Sequence, residues 1–314
     1  MKLFKSKNNF LYLCFLSFVL VASSALVISG RKNSLQSTTG GLRSAACNPQ
    51  QPVPVISENT VFPVVSAQAA MAIDVTSGVT LYEKDPDESL LPASTTKILT
   101  ALVAMDYYPD GEVLTVRRAP VDGQKMGLKI GEKIKVLDLL YGLLVYSAND
   151  AAEVLAQNYN GGREVFIAAM NLKAESLHLD HSYFTNPTGL DGGGNRIVSS
   201  ARDLIKISSV AMQNSRFAEI VKTKEITVKS LDGKIAHKLV NINELVGQVP
   251  GVLGIKTGWT ENARENLITY IERDGHKVII ALLGSQDRFG ETKELIDWIF
   301  KNYSWQEVKV SYSP

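Results

Sequence analysis

A chain of 314 residues with a formal net charge of +1 offers neither the basic surface of a nucleic-acid binder nor an acidic tail. Its 45% hydrophobic content excludes a disordered chain and allows one large domain or two modest ones. With two cysteines, Cys14 in an apolar run and Cys47 in a polar stretch, no disulfide framework holds the fold.

Lys2, Lys5 and Lys7 precede an uncharged apolar stretch, residues 10–28. As a helix it reaches roughly 30 Å, enough to cross a bilayer and longer than the apolar region of a cleaved signal peptide. It reads as a transmembrane signal-anchor with residues 1–9 cytoplasmic. Ala22-Ser23-Ser24-Ala25 keeps cleavage open as the alternative, and either way the rest of the chain is exported. Residues 29–60, rich in Ser, Thr, Gly, Gln, Asn and Pro, read as a flexible linker. The folded part is expected over 61–304, with 305–314 a short remnant.

Residues 67–75 and 79–83 read as two strands joined by Thr76-Ser77-Gly78. A helix is expected to begin at Ser94 and end near residue 108. Strand-like pieces follow at 113–116 and 125–130, then a buried helix at 136–146. Asp150-Ala151-Ala152-Glu153 has the form of a capping box opening another helix, and 163–177 continues the helical run. Asn186 to Asn195 reads as a structured glycine-rich loop, and Ser200-Ala201-Arg202-Asp203 as the cap of a helix to about residue 213. Hairpins are expected at 225–229 with 234–239 and at 267–272 with 277–283, around Asp232-Gly233 and Asp274-Gly275. A strand at 252–259 carries Lys256-Thr257-Gly258, and an amphipathic helix at 291–303 closes the domain.

Three motifs carry chemistry. Ser94 and Lys97 share a helix face, so the amine can reach back over the hydroxyl and act as its base. Ser147 and Asn149 lie two apart in a connection between buried helices and can face one cleft. Alone, each pair is an ordinary capping or turn arrangement. In order on helix start, inter-helix loop and strand, Ser94/Lys97, Ser147/Asn149 and Lys256-Thr257-Gly258 form a specific constellation.

That constellation, with Asn186-Pro187-Thr188-Gly189-Leu190-Asp191 and Gly254-Ile255-Lys256-Thr257-Gly258-Trp259-Thr260, resembles the low-molecular-mass penicillin-binding proteins that are serine-type D-alanyl-D-alanine carboxypeptidases. The resemblance spans residues 68–303. It implies an α+β fold of the β-lactamase/DD-peptidase kind: an antiparallel sheet flanked by helices, an inserted helical lobe, and an active site between them. It implies Ser94 as nucleophile, Lys97 as base, kept partly deprotonated by burial and by the nearby charge of Lys256, and Ser147 as proton relay to the leaving amine. Asn149 would hold the substrate backbone, Lys256 and Thr257 its terminal carboxylate, and Gly258 would let the substrate strand lie close. The backbone N–H groups of Ser94 and Trp259 would form the oxyanion hole. The implied partners are a peptidoglycan stem peptide ending in D-Ala-D-Ala and β-lactams, with no metal, cofactor or nucleic acid.

Two departures stand out. Where the family commonly has Ala-Gly and a small residue, this chain has Ala263-Arg264-Glu265-Asn266, which puts Arg264 beside the expected site. No β-rich domain or C-terminal anchor follows, so residues 10–28 would supply the tether. A D,D-endopeptidase uses the same chemistry. A class A β-lactamase is disfavoured, because no Glu-x-x-Leu-Asn lies between Asn149 and Lys256. His178 and His181 lack the spacing of a zinc peptidase, and a non-catalytic wall-binding module would require Arg264 to block the cleft.

Overall fold

The computed structural model describes residues 52–118, 121–192 and 197–307. The anchor assigned to 10–28 and most of the expected linker lie outside the described residues, among which no helix is long and apolar enough to cross a membrane. In chain order the elements are β1 (Val53–Ile56), β2 (Ala69–Asp74), β3 (Thr80–Lys84), α1 (Lys97–Tyr107), β4 (Val113–Thr115), β5 (Lys133–Lys135), α2 (Val136–Leu144), α3 (Asn149–Asn158), α4 (Gly162–Ser176), α5 (Ala201–Gln213), α6 (Ser215–Val221), β6 (Glu225–Lys229), β7 (Ala236–Val240), β8 (Val252–Thr260), β9 (Arg264–Arg273), β10 (His276–Ser285), α7 (Arg288–Asn302) and β11 (Tyr303–Gln306).

One antiparallel sheet, ordered β3-β2-β10-β9-β8, organises the domain. Its hairpins are written locally. Asp74 Oδ2 accepts from the Ser77 N–H and hydroxyl at 2.8 and 2.6 Å, closing the β2–β3 turn. Asp274 and Gly275 take left-handed φ values of 53° and 80°, the geometry a two-residue turn between β9 and β10 requires.

Side chains alternate across the sheet. Ile279, Ala281 and Leu283 of β10 join Met71 and the core of the helical lobe, while Val278, Ile280 and Leu282 join Ala70, Ala72 and Leu295, Ile296 and Ile299 of α7. With both faces covered, β10 reads as a continuous apolar run, and each large aliphatic side chain it buries contributes about 1.5–3 kcal/mol. The helices α1 to α6 are inserted between β3 and β8, as the α+β expectation has it. This leaves β8 at the sheet edge, facing the lobe.

Four local expectations change. The alternation of Met126, Leu128 and Ile130 mimics a strand, but this segment is irregular, and β4 pairs instead with Lys133–Lys135. The reason is Asp150. Its carboxylate accepts the N–H groups of Met126, Gly127, Leu128 and Ala151 at 2.9–3.1 Å, so it binds a neighbouring segment rather than forming a capping box. Glu153, its expected partner, pairs with Arg163 at 2.9 Å. Residues 53–56, read as linker, form β1, which pairs with β11 and extends the fold into residues 303–306 at the other end of the chain. Trp305 Nε1 ties this pair to Asp74 Oδ1 at 2.9 Å. Finally, α7 begins three residues earlier than expected, because Asp287 caps it by accepting the Gly290 N–H at 2.9 Å.

Candidate active site

Ser94 sits in a single 3-10 turn, Ala93–Thr96, that feeds directly into α1, rather than on the helix itself. Thr95 donates from its N–H and its hydroxyl to the Pro92 carbonyl at 3.2 and 2.7 Å, fixing the turn. Lys97, three residues on, returns over the serine with Nζ 2.8 Å from Ser94 Oγ. A further contact, absent from the motif reading, comes from the glycine-rich loop, whose Thr188 carbonyl lies 2.6 Å from the same amine. In its neutral form the amine donates one N–H to that carbonyl, leaving its lone pair for the serine proton.

Lys97 is fully buried, and burial brings its amine from 10.5 down to about 7. The repulsion between the two amines, anticipated at Lys97, is felt at Lys256. Lys256 is itself lowered well below the usual lysine value, first by burial and then by the charges of Lys97 and Arg288. Its Nζ donates to Ser147 Oγ at 2.7 Å and to the Thr257 carbonyl at 2.9 Å. The site therefore holds two serine–lysine pairs, and the second joins β8 to the helical lobe.

Ser147 is held at a left-handed φ of 62° between α2 and α3, a strained conformation for a residue with a Cβ. Asn149 opens α3 and donates Nδ2 to the Asp122 carbonyl at 2.7 Å. Its Oδ1 and the hydroxyl oxygen of Thr257 are buried and have no partner among the described residues. Buried polar atoms of this kind are costly in an empty cleft and available to a bound peptide.

The cleft between β8 and the helical lobe encloses about 600 Å³, lined by Ser94, Ser147, Asn149, Thr257, Gly258 and Trp259. All three motifs meet there. Gly258 has a further role within the protein: a Cβ on it would lie 2.9 Å from the Pro92 carbonyl oxygen and 3.2 Å from Ser94 N. It lets β8 press against the nucleophile turn. A cavity of about 570 Å³ at the C-terminal end of α1, lined among others by Tyr107, Glu112 and Arg117, holds none of the motif residues, so size alone does not single out the site.

Arg264 does not enter the cleft. It is exposed at the start of β9, with a left-handed φ of 57°. That conformation favours glycine, which accounts physically for the Ala-Gly pair common in the family. Asn266 is a strut, donating to the Leu91 carbonyl at 2.9 Å and accepting the Gly284 N–H at 2.8 Å. The cation that does line the cleft is Arg288, whose Nη1 donates to the Gly258 carbonyl at 3.1 Å. It stands 30 residues beyond Gly258 in sequence, with no motif around it, and only the β9–β10 hairpin brings it back. His181, weighed as a metal ligand, lies 3.7 Å from Asp87.

A serine hydroxyl on a buried, partly neutral amine, beside a second serine–lysine pair in a peptide-sized cleft, defines an acyl-transfer serine hydrolase. The chain belongs to the D-alanyl-D-alanine carboxypeptidase family, peptidase family S11, whose model matches residues 56–287. It is 35% identical over 242 residues to the D-alanyl-D-alanine carboxypeptidase DacB2 of Mycobacterium tuberculosis, covering 74% of this chain and 82% of that protein. Among solved structures, a D-alanyl-D-alanine carboxypeptidase of M. tuberculosis H37Rv superposes with a TM-score of 0.73 at 33% identity, over 81% of this chain and 100% of that one. The Streptomyces K15 DD-transpeptidase superposes with a TM-score of 0.72 at 32% identity, over 77% of this chain and 100% of that one.

Proposed function

We propose that this serine-type D-Ala-D-Ala carboxypeptidase removes the terminal D-alanine of peptidoglycan stem peptides through an acyl-enzyme on Ser94. The observation that carries the assignment is the 2.8 Å approach of Ser94 Oγ to a buried Lys97 amine poised near neutrality. Lys97 takes the hydroxyl proton as Ser94 Oγ bonds to the carbonyl carbon of the penultimate D-alanine. The C–N bond to the terminal residue then breaks, and Ser147, held by Lys256, passes a proton to the departing amine. Water hydrolyses the ester and frees the serine. The N–H groups of Ser94 and Trp259 receive the oxyanion, an interaction typically among the largest catalytic contributions. Asn149 Oδ1 and Thr257 Oγ1, both without partners among the described residues, accept and donate to the peptide. The terminal carboxylate is met by Lys256, Thr257 and the Arg288 charge at the cleft wall. As the carboxylate arrives, its charge favours the protonated form of Lys256, offsetting the cost of burying that amine.

The apolar run 10–28 and its preceding lysines support a membrane-anchored chain with this domain on the extracytoplasmic side, where its substrate is.

The test is release of D-alanine from a pentapeptide ending in D-Ala-D-Ala, with mass spectrometry locating a penicillin adduct. Release of one D-alanine per peptide and an adduct on the Ser94 peptide are expected. An adduct elsewhere, or none, overturns the assignment. Rapid turnover of penicillin would instead mark a β-lactamase.

The rate of acylation should follow the free Lys97 amine. It is expected to be maximal above pH 7 and to fall about tenfold for each pH unit below it, because protonation removes the base. A flat profile between pH 5 and 8 would exclude Lys97 as that base.

A further inference from the structure

One buried histidine–glutamate pair takes no part in the chemistry just described. His237 on β7 and Glu132, just before β5, have side chains 4% and 0% exposed and meet at 2.7 Å between Nε2 and Oε1. The other ring nitrogen, Nδ1, lies 3.0 Å from the Met126 carbonyl oxygen. A carbonyl only accepts, so Nδ1 carries a proton. The Glu132 carboxyl group, whose Oε2 also accepts the Lys129 N–H at 2.9 Å, shares a hydrogen bond with Nε2. Each ring nitrogen thus faces an acceptor-bearing group, and the ring is held at both ends.

Met126 belongs to a strap, residues 122–128, that forms part of the cleft wall through Gly123 and Gln124. Three contacts fix it. Its carbonyl is held by His237, its N–H donates to Asp150 Oδ1 at 3.0 Å, and its side chain fills the space beside Gly142. A Cβ on Gly142 would come within 2.3 Å of Met126 Sδ. Asn149, next to Asp150, leans on the same strap twice. Its N–H donates to the Gln124 carbonyl at 2.8 Å and its Nδ2 to the Asp122 carbonyl at 2.7 Å. The strap therefore sets the direction of the Asn149 amide. Gly123 leaves no slack, since a Cβ there would lie 2.8 Å from Asn149 Nδ2.

We propose that His237 and Glu132 are a positioning pair for the substrate-binding amide of Asn149. The imidazole clamps Met126, Met126 holds the strap, and the strap turns the unpartnered Asn149 Oδ1 toward the incoming peptide. A buried ion pair is weak evidence of stabilisation by itself, because desolvation offsets the attraction. Its worth here lies in fixing one geometry. The proposal rests on the carboxypeptidase reading of the cleft.

The experiment uses the full chain and benzylpenicillin, with acylation followed against concentration well below the melting temperature. In His237→Gln and Glu132→Gln the apparent dissociation constant for penicillin is expected to rise about tenfold, with the limiting acylation rate within about twofold of wild type. In an Asn149→Ala background the same substitutions should add no further loss. Additive losses, or an effect confined to the melting temperature, would overturn the positioning role. A wild type that takes no penicillin would bring down the carboxypeptidase reading, and this role with it. Acylation by wild type with kinetically silent variants would bring down this role alone. Should the variants not fold, nitrogen-15 NMR of histidine-labelled wild type is the second measurement. A protonated Nδ1 is expected for His237, and a bare Nδ1 would refute the clamp.

Discussion

Ser94→Ala is expected to lower the rate of D-alanine release by about 10⁵–10⁶-fold while leaving the protein folded. The loss is large because only this hydroxyl lies on the Lys97 amine, and its removal leaves no nucleophile for the acyl-enzyme. The fold is spared for a structural reason. Lys97 keeps its 2.6 Å bond to the Thr188 carbonyl, and the turn is held by Thr95 rather than by the serine side chain. A change in stability within about 1 kcal/mol is expected. Lys97→Met, which retains the buried volume, should cost about 10²–10⁴-fold, the range of a general base. The double variant should be no worse than Ser94→Ala alone, since the two residues act as one unit. Single-turnover kinetics with circular dichroism on the same samples checks both statements. Release persisting in Ser94→Ala would remove the serine from the mechanism.

Gly189→Ala is expected to be the most damaging glycine substitution near the site. Gly189 has a φ of 82°, and a Cβ on it would lie 1.9 Å from the Ala93 carbonyl oxygen and 2.5 Å from the carbon of that carbonyl. Neither atom is the end of a flexible side chain. Either the loop or the turn bearing Ser94 must move. Left-handed strain and overpacking together should cost about 2–5 kcal/mol. For a domain of this size the melting temperature should drop by roughly 5–15 °C. Gly111→Ala is the control. It has a φ of 84° but nothing within 4 Å of the added carbon, so it carries the conformational cost of about 1 kcal/mol without the collision. Equal effects at the two positions would show that strain, not contact, dominates. Whatever fraction of Gly189→Ala folds should also label poorly with penicillin, because the displaced turn no longer sets Ser94 on its amine.

Much of this site is legible in the residue order because its parts are local. Ser94 and Lys97 are three apart, Ser147 and Asn149 two apart, and Lys256 to Gly258 consecutive, so short-range geometry presents each group correctly once the elements form. The hairpins were readable for the same reason, as Asp274-Gly275 dictates its own turn. What stayed hidden is held by long-range contacts between unremarkable residues. Arg288 reaches Gly258 through a hairpin and a helix start. The Thr188 carbonyl meets Lys97 across 91 residues, and His237 meets Glu132 across 105. In residues 125–130 a period-two pattern promised a strand, but a carboxylate supplied by α3 outbid any partner strand for the backbone N–H groups. At Arg264 the identity of the side chain suggested an obstruction, whereas the backbone conformation it adopts turns it out to solvent.

The pairing of β1 with β11 has a directional consequence. It sits at the Asp74 end of the sheet, where β2 meets Val278 of β10, whereas the cleft lies at the opposite end, where Gly258 pairs with Asn266 and Asn266 holds Gly284. The seven residue steps from Val278 to Ser285 span about 24 Å at about 3.4 Å per step. The chain thus enters the domain at one pole and Ser94 works at the other. Val53 and the cleft are held apart by the full height of the sheet, a rigid spacer between the domain's point of entry and its opening.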